Sequence, residues 1–225
     1  MAGRRFGQVD GCVLAAGLIV VAGIFGFVEL MHLANAATPP AFDGRILLAF
    51  REAGHPDTPL GPHWLKGAVR DVTSLGSTVV VFLLVAVVAI HLALSRRAST
   101  GLFVVFTVAG GQALTSLLKL LVARPRPDIV PHLTEVSTLS FPSGHATMSA
   151  VTYLTLGLLA ARFLPRRVSK ICVVALAVVL TFLVGASRLY LGVHWPSDVM
   201  AGWCAGFAWA ALCFLAARFA GIGKP

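Results

Sequence analysis

Residues 12–31 read CVLAAGLIVVAGIFGFVELM, twenty positions with one charged side chain, Glu29, close to the end. As a helix rising 1.5 Å per residue, such a run is about 30 Å long, the thickness of a bilayer's hydrocarbon core. It lacks the polar alternation of a barrel strand, and backbone groups in lipid must be satisfied within their own segment. The stretch therefore reads as a membrane-spanning helix. Comparable apolar blocks cover residues 73–94, 101–122, 146–164, 171–186 and 199–219, the fifth of the six being the shortest. The expected fold is all-α: a polytopic bundle of six transmembrane helices, built as a single domain over residues 1–225.

Composition agrees with this. Of 225 residues, 57% are hydrophobic and 12% charged, and the mean hydropathy of +0.87 exceeds that of an ordinary soluble domain. The net charge of +9 could suggest nucleic acid, but its placement argues for a membrane. With the amino terminus inside, the inner segments hold Arg4, Arg5, Arg96, Arg97, Arg162, Arg166, Arg167, Lys170, Arg218 and Lys224 against one acid, Asp10. The outer side holds eight basic and eight acidic residues, so the whole excess lies inside. Both termini are expected in the cytoplasm. Ala34-Asn35-Ala36 resembles a signal-peptidase site, but the preceding apolar run is too long for a typical signal core. The four cysteines, Cys12, Cys172, Cys204 and Cys213, fall in or beside apolar blocks without disulfide or zinc spacing.

Between the first two blocks, residues 32–71 are rich in Pro, Gly and charge, with apolar pieces at 46–50 and at Trp64-Leu65. An extracytoplasmic interfacial segment is expected here, either a short amphipathic helix with Trp64 near the headgroups or a loop that only caps the bundle. The inner connections are short and basic. Those on the outer side carry Lys, Arg, Ser, His and Asp in close order, so chemistry is expected outside.

Three clusters at outer helix ends carry that chemistry: Lys119 followed by Arg126-Pro127, then Pro142-Ser143-Gly144-His145, then Ser187-Arg188 followed by His194 and Asp198. Pro125 and Pro127 stop any helix, so Lys119 and Arg126 come from a helix end and a turn and can converge on one anion. Taken singly they also fit side chains reaching for lipid headgroups. Ser143, Gly144 and His145 sit near the start of a long apolar helix, where free N–H groups and the helix dipole favour phosphate. An ordinary cap with an interfacial histidine is the plainer alternative. His194 and Asp198 are four apart, so one helical turn would let the carboxylate hold one ring nitrogen protonated while the other acts as nucleophile. A structural pair has the same spacing. Arg188 adds a third cation.

Together the clusters resemble the three signature motifs of the type 2 phosphatidic acid phosphatase superfamily, which also includes vanadium haloperoxidases and bacterial acid phosphatases. The match runs in order over residues 119–198, and the six-block pattern is similar to the membrane lipid phosphatase branch. The resemblance implies that His194 attacks phosphorus and Asp198 orients it. His145 would protonate the leaving oxygen and later activate water. Lys119, Arg126, Ser143, Gly144 and Arg188 would hold the phosphoryl oxygens, with no metal or other cofactor required. A lipid phosphate or diphosphate in the surrounding membrane would be the partner, not a nucleic acid. Short bacterial members imply the bacterial inner membrane, with the site extracytoplasmic. A phosphotransferase that passes the group to another lipid uses the same residues and differs only in the acceptor. An anion transporter would place charge near mid-membrane, whereas here it gathers at one boundary.

Overall fold

The computed structural model describes residues 11–36, 38 and 40–222. In chain order they form α1 (Gly11–Ala34), α2 (Ala41–Leu48), a short antiparallel pair of β1 (Arg51–Glu52) and β2 (His55–Pro59), then α3 (His63–Ser74), α4 (Thr78–Leu94), α5 (Ala98–Val122), α6 (Gly144–Phe163), α7 (Arg167–Tyr190) and α8 (Pro196–Phe219). Five helices, α1 and α5 to α8, are each long and apolar enough to cross a membrane, and α3 with α4 makes a sixth candidate bent by 47°. Large apolar side chains such as Leu18 and Phe25 on α1, Val87 on α4 and Phe106 on α5 point outward, as lipid contact requires. The expected helical membrane bundle is thus observed. Arg4, Arg5, Asp10 and Lys224, used above to orient the chain, lie outside the described residues.

The inner helices are α6 and α8. A Cβ added at Gly202 would lie 2.7 Å from the Ser143 carbonyl oxygen, and one at Gly206 would lie 2.6 Å from the Ala150 Cβ. Two glycines one turn apart therefore let α8 press against the start of α6, the small-residue packing that membrane helices use in place of a hydrophobic drive. A second seam joins Val81 and Val85 of α4, Val104 and Val108 of α5, and Met148 and Val151 of α6. These contacts bring the second and third sequence clusters side by side, with the first beside them.

Three boundaries depart from the sequence reading. The apolar block at 73–94 is broken at residues 75–77, because Ser77 caps α4 by accepting from the Val80 N–H and Gly76 passes against His145 and Val184. Thr73 and Ser74 consequently end α3 ahead of the bend and do not continue α4. The fifth span is not short: α7 runs 24 residues, because Arg167 and Lys170 at one end and Arg188 at the other continue the helix past the apolar run. Finally, the segment between α1 and α4 does more than rest on the surface. Trp64 is exposed on α3, as an interfacial residue would be, but Leu65 and Val69 pack on Leu133, Tyr190, Leu191 and Val193, and Leu47 and Asp43 of α2 are fully buried. Arg51 of β1 donates to the Tyr190 carbonyl at 3.0 Å, fixing the end of α7 from above.

Candidate active site

Four helix ends meet at one end of the bundle, and six of the eight expected residues line one cavity of about 440 Å³: Lys119, Arg126, Gly144, His145, Arg188 and His194. Lys119 comes from the last turn of α5, which stops at Ala123 in a left-handed conformation. Its ammonium donates to the Leu139 carbonyl. Arg126 follows in the turn and is clamped on three sides: Nε to the Thr138 carbonyl at 2.7 Å, Nη2 to Thr138 Oγ1 at 3.1 Å and Nη1 to the Val193 carbonyl at 2.5 Å. Burial lowers its pKa and Asp198 opposes that shift, yet a guanidinium stays charged at any physiological pH. Arg188, 3% exposed, donates from Nη1 to Thr73 Oγ1 at 3.0 Å, and its Nε has no hydrogen-bond partner among the described residues.

Ser143 is the N-cap residue of α6, yet its side chain makes no cap hydrogen bond. The hydroxyl is fully buried and has no hydrogen-bond partner among the described residues. Its backbone N–H is held by the Asp198 carbonyl at 3.0 Å, which fixes the start of α6 on the start of α8. A Cβ at Gly144 would meet Lys119 only at an ordinary 3.7 Å, so protein packing does not demand the glycine. Ser143 does not itself line the cavity, but its Oγ and Arg188 Nε are buried donors without partners among the described residues, and with three cations and a helix amino terminus they suit an oxyanion.

His194 is 2% exposed and sits in the turn before α8, not on it. The expected single helical turn joining it to Asp198 is therefore absent, since Pro196 begins the helix and Asp198 is its third residue. Asp198 folds back to accept from the Trp195 N–H at 2.9 Å, an N-terminal capping contact. The same Oδ2 accepts from the Ser140 hydroxyl and lies 3.5 Å from Nδ1 of His194. Nε2 of the ring faces Arg126 Nη1 at 3.3 Å. Burial first, then Arg188, Arg126 and Lys119, hold the His194 pKa well below its usual 6.5. The imidazole is therefore neutral, and its contact with Asp198 is a dipole held by a charge and not an ion pair.

Asp198 itself does not line the cavity but stands behind His194. There the structure adds residues that the sequence reading passed over. Arg124, 6% exposed, donates from Nη1 to Asp198 Oδ1 and to Ser197 Oγ, both at 2.7 Å, and from Nη2 to Asp43 Oδ2 at 3.0 Å. Asp43 further accepts from the Ser197 N–H at 2.8 Å and hydroxyl at 2.6 Å. Trp195, adjacent to His194, packs over the Arg124 guanidinium and donates to the Pro125 carbonyl, so it is a buried support and not a wall of the entrance. The doubled Arg-Pro at 124–127 is the sequence signal for the second arginine. Nothing near Asp43 marked it.

A family model described as the PAP2 superfamily matches residues 100–221, a stretch that contains all three clusters. The chain belongs to the PAP2 superfamily. Among PAP2 relatives, phosphatidylglycerophosphatase B of Bacillus subtilis (strain 168) is 33% identical over 144 residues, spanning 64% of this chain and 70% of that protein. The decaprenylphosphoryl-5-phosphoribose phosphatase of Mycobacterium tuberculosis is 36% identical over 146 residues, covering 61% and 72% respectively. The crystal structure of a transmembrane PAP2-type phosphatidylglycerolphosphate phosphatase from Bacillus subtilis superposes with a TM-score of 0.75 at 28% identity, over 86% of this chain and 94% of that one. The family resemblance and the membrane fold expected from the sequence both hold.

Proposed function

We propose that this membrane lipid phosphatase works through a phosphohistidine on His194, in a site facing away from the cytoplasm, with one domain carrying the whole reaction. The observation that carries the reading is the buried His194 ring, with Nε2 facing Arg126 and Nδ1 facing Asp198, its burial favouring the neutral form. The Nε2 lone pair forms a bond to phosphorus as the phosphorus–oxygen ester bond breaks, and His145 gives its proton to the departing oxygen. His145, now neutral, takes a proton from water as that water attacks phosphorus and the nitrogen–phosphorus bond breaks. Inorganic phosphate leaves and both rings return to their starting states. Lys119, Arg126, Arg188, Ser143 Oγ and the N–H groups at Gly144 hold the phosphoryl oxygens throughout. Cations fill the place that magnesium takes in many phosphoryl-transfer sites, and they repel a divalent ion. The charge pattern of the sequence supports cytoplasmic termini in a bacterial inner membrane.

Beyond Lys119, Arg126 and Arg188 the cavity lining holds no further cation: it is polar at Ser77 and Thr78 at the start of α4 and at Gln112 and Ser116 on α5, with one acid, Glu135. These groups suit a hydroxylated carbon, as on a glycerol or a sugar, better than the second phosphate of a diphosphate, which would find no fourth cation there. The relatives named for a phosphatidylglycerophosphate and a phosphoribose lipid support that class. Purified protein in EDTA should release inorganic phosphate from phosphatidylglycerophosphate faster than from a polyprenyl diphosphate, and acid-labile phosphate should be trapped on His194. Dependence on added magnesium, or a phosphoenzyme that survives His194→Ala, overturns the mechanism. Preference for the diphosphate overturns the substrate class alone. Transfer to a second lipid in place of release to water would identify the phosphotransferase.

A further inference from the structure

Behind His194, two carboxylates and one guanidinium are buried together, and none of the three touches the cavity. Asp43 and Asp198 are fully buried, and Arg124 bridges them. A buried ion pair is weak grounds for stability, since desolvation consumes most of its attraction and apolar packing serves as well. Three features set this one apart from a packing accident. Both Nη groups of the arginine are committed, one to each carboxylate. Ser197, next to Asp198 in the chain, is doubly held by Asp43, which fixes the first turn of α8. And the far carboxylate end of the chain of contacts lands on His194 Nδ1.

We propose that Asp43 and Arg124 are positioning residues for the reaction: Arg124 keeps Asp198 ionised and aimed at Nδ1 of His194, and Asp43 keeps Arg124 aimed at Asp198. The inference rests on His194 being the nucleophile. A phosphohistidine bonded at Nε2 carries its positive charge toward Nδ1–H, and the carboxylate there must accept a hydrogen bond to stabilise it. Deprived of its cation in a dry interior, Asp198 would take up a proton and offer a donor to Nδ1 where an acceptor is needed. Other groups near Asp198 cannot replace Arg124. Ser140 and the Trp195 N–H are neutral donors, while Lys119 and Arg126 face the cavity and are committed to Leu139, Thr138 and Val193.

Four cations, Lys119, Arg124, Arg126 and Arg188, outnumber the two buried carboxylates, and that excess favours a bound phosphate dianion. Asp43 is thus part of the charge balance of the reaction although α2 lies outside the stretch matched by the PAP2 family model. The outer segment between α1 and α4 supplies this residue, which gives that segment a chemical role.

The test uses the full chain in detergent micelles with nitrophenyl phosphate as substrate and vanadate as the ligand of the cradle. Arg124→Gln is expected to lower kcat on the order of a hundredfold, and Asp43→Asn about tenfold, with vanadate affinity within about threefold of wild type. Arg124→Lys should recover part of the loss, because an ammonium can satisfy one carboxylate but not fork between two. Rapid quench should place the defect in formation of the phosphoenzyme. If Arg124→Gln does not fold, the isosteric Asp43→Asn and the milder Ser197→Ala decide. Variants that bind vanadate and keep kcat within twofold overturn the proposal, as does a loss of vanadate affinity matching the loss of kcat. If His194→Ala stays active instead, it is the nucleophile assignment that fails.

Discussion

Nε2 of His194 lies 3.3 Å from Nη1 of Arg126, and Nδ1 of the same ring lies 3.5 Å from Oδ2 of Asp198. Arginine only donates, so the nitrogen facing it is the one with a free lone pair, and the proton belongs on Nδ1 beside the carboxylate. One ring thereby presents its lone pair to the cavity and its N–H to the carboxylate behind it.

That placement has a consequence for pH. Burial and then the three cations hold His194 well below 6.5, so the neutral attacking form is complete above that depressed value and is lost only as pH falls through it. In the His145→Ala protein, kcat/KM for nitrophenyl phosphate, corrected for ionisation of the substrate, should therefore stay level from about pH 7 down to about pH 5. A limb near 6.5 in that variant would show that His194 titrates as an exposed histidine and would contradict the buried, cation-flanked geometry.

What the sequence made legible follows from how each signal is written. Hydropathy runs reveal spans because lipid tolerates few charges, and all eight expected site residues fall at one boundary, six of them in one cavity. The break at residues 75–77 escaped because Gly76 and Ser77 cost little hydropathy while ending a helix. Asp43 and Arg124 escaped because their partners lie 81 and 74 residues away in sequence, and a pair made by tertiary packing leaves no spacing to read. His194 and Asp198 were paired correctly but by the wrong geometry, since Pro196 starts the helix between them and the contact is made by a capping turn.

Orientation in the membrane can be measured directly. In a background with Cys12, Cys172, Cys204 and Cys213 replaced, a cysteine at exposed Pro131 should react with an impermeant thiol reagent added to intact cells. A cysteine at exposed Ser99, in the first turn of α5, should react only after the inner face is opened. The opposite pattern would put the cavity in the cytoplasm and reverse the topology argued from the distribution of Lys and Arg.

The two histidines should separate by leaving group. His194→Ala removes the atom that bonds to phosphorus, so turnover of every phosphate ester should be lost, because a preserved cradle cannot replace the missing bond. His145→Ala keeps the nucleophile and removes the proton donor. A donor matters most when the departing oxygen is a lipid alkoxide and least for nitrophenolate, which leaves without a proton. Phosphorylation by nitrophenyl phosphate should persist in that variant while turnover of phosphatidylglycerophosphate falls on the order of a thousandfold. The phosphoenzyme should then accumulate, since the base that activates water is the same missing ring. Rapid quench and mass spectrometry of the trapped protein read both steps. Equal and complete loss of phosphorylation in the two variants would reject this division of labour, and phosphate found on His145 in the wild type would exchange the roles.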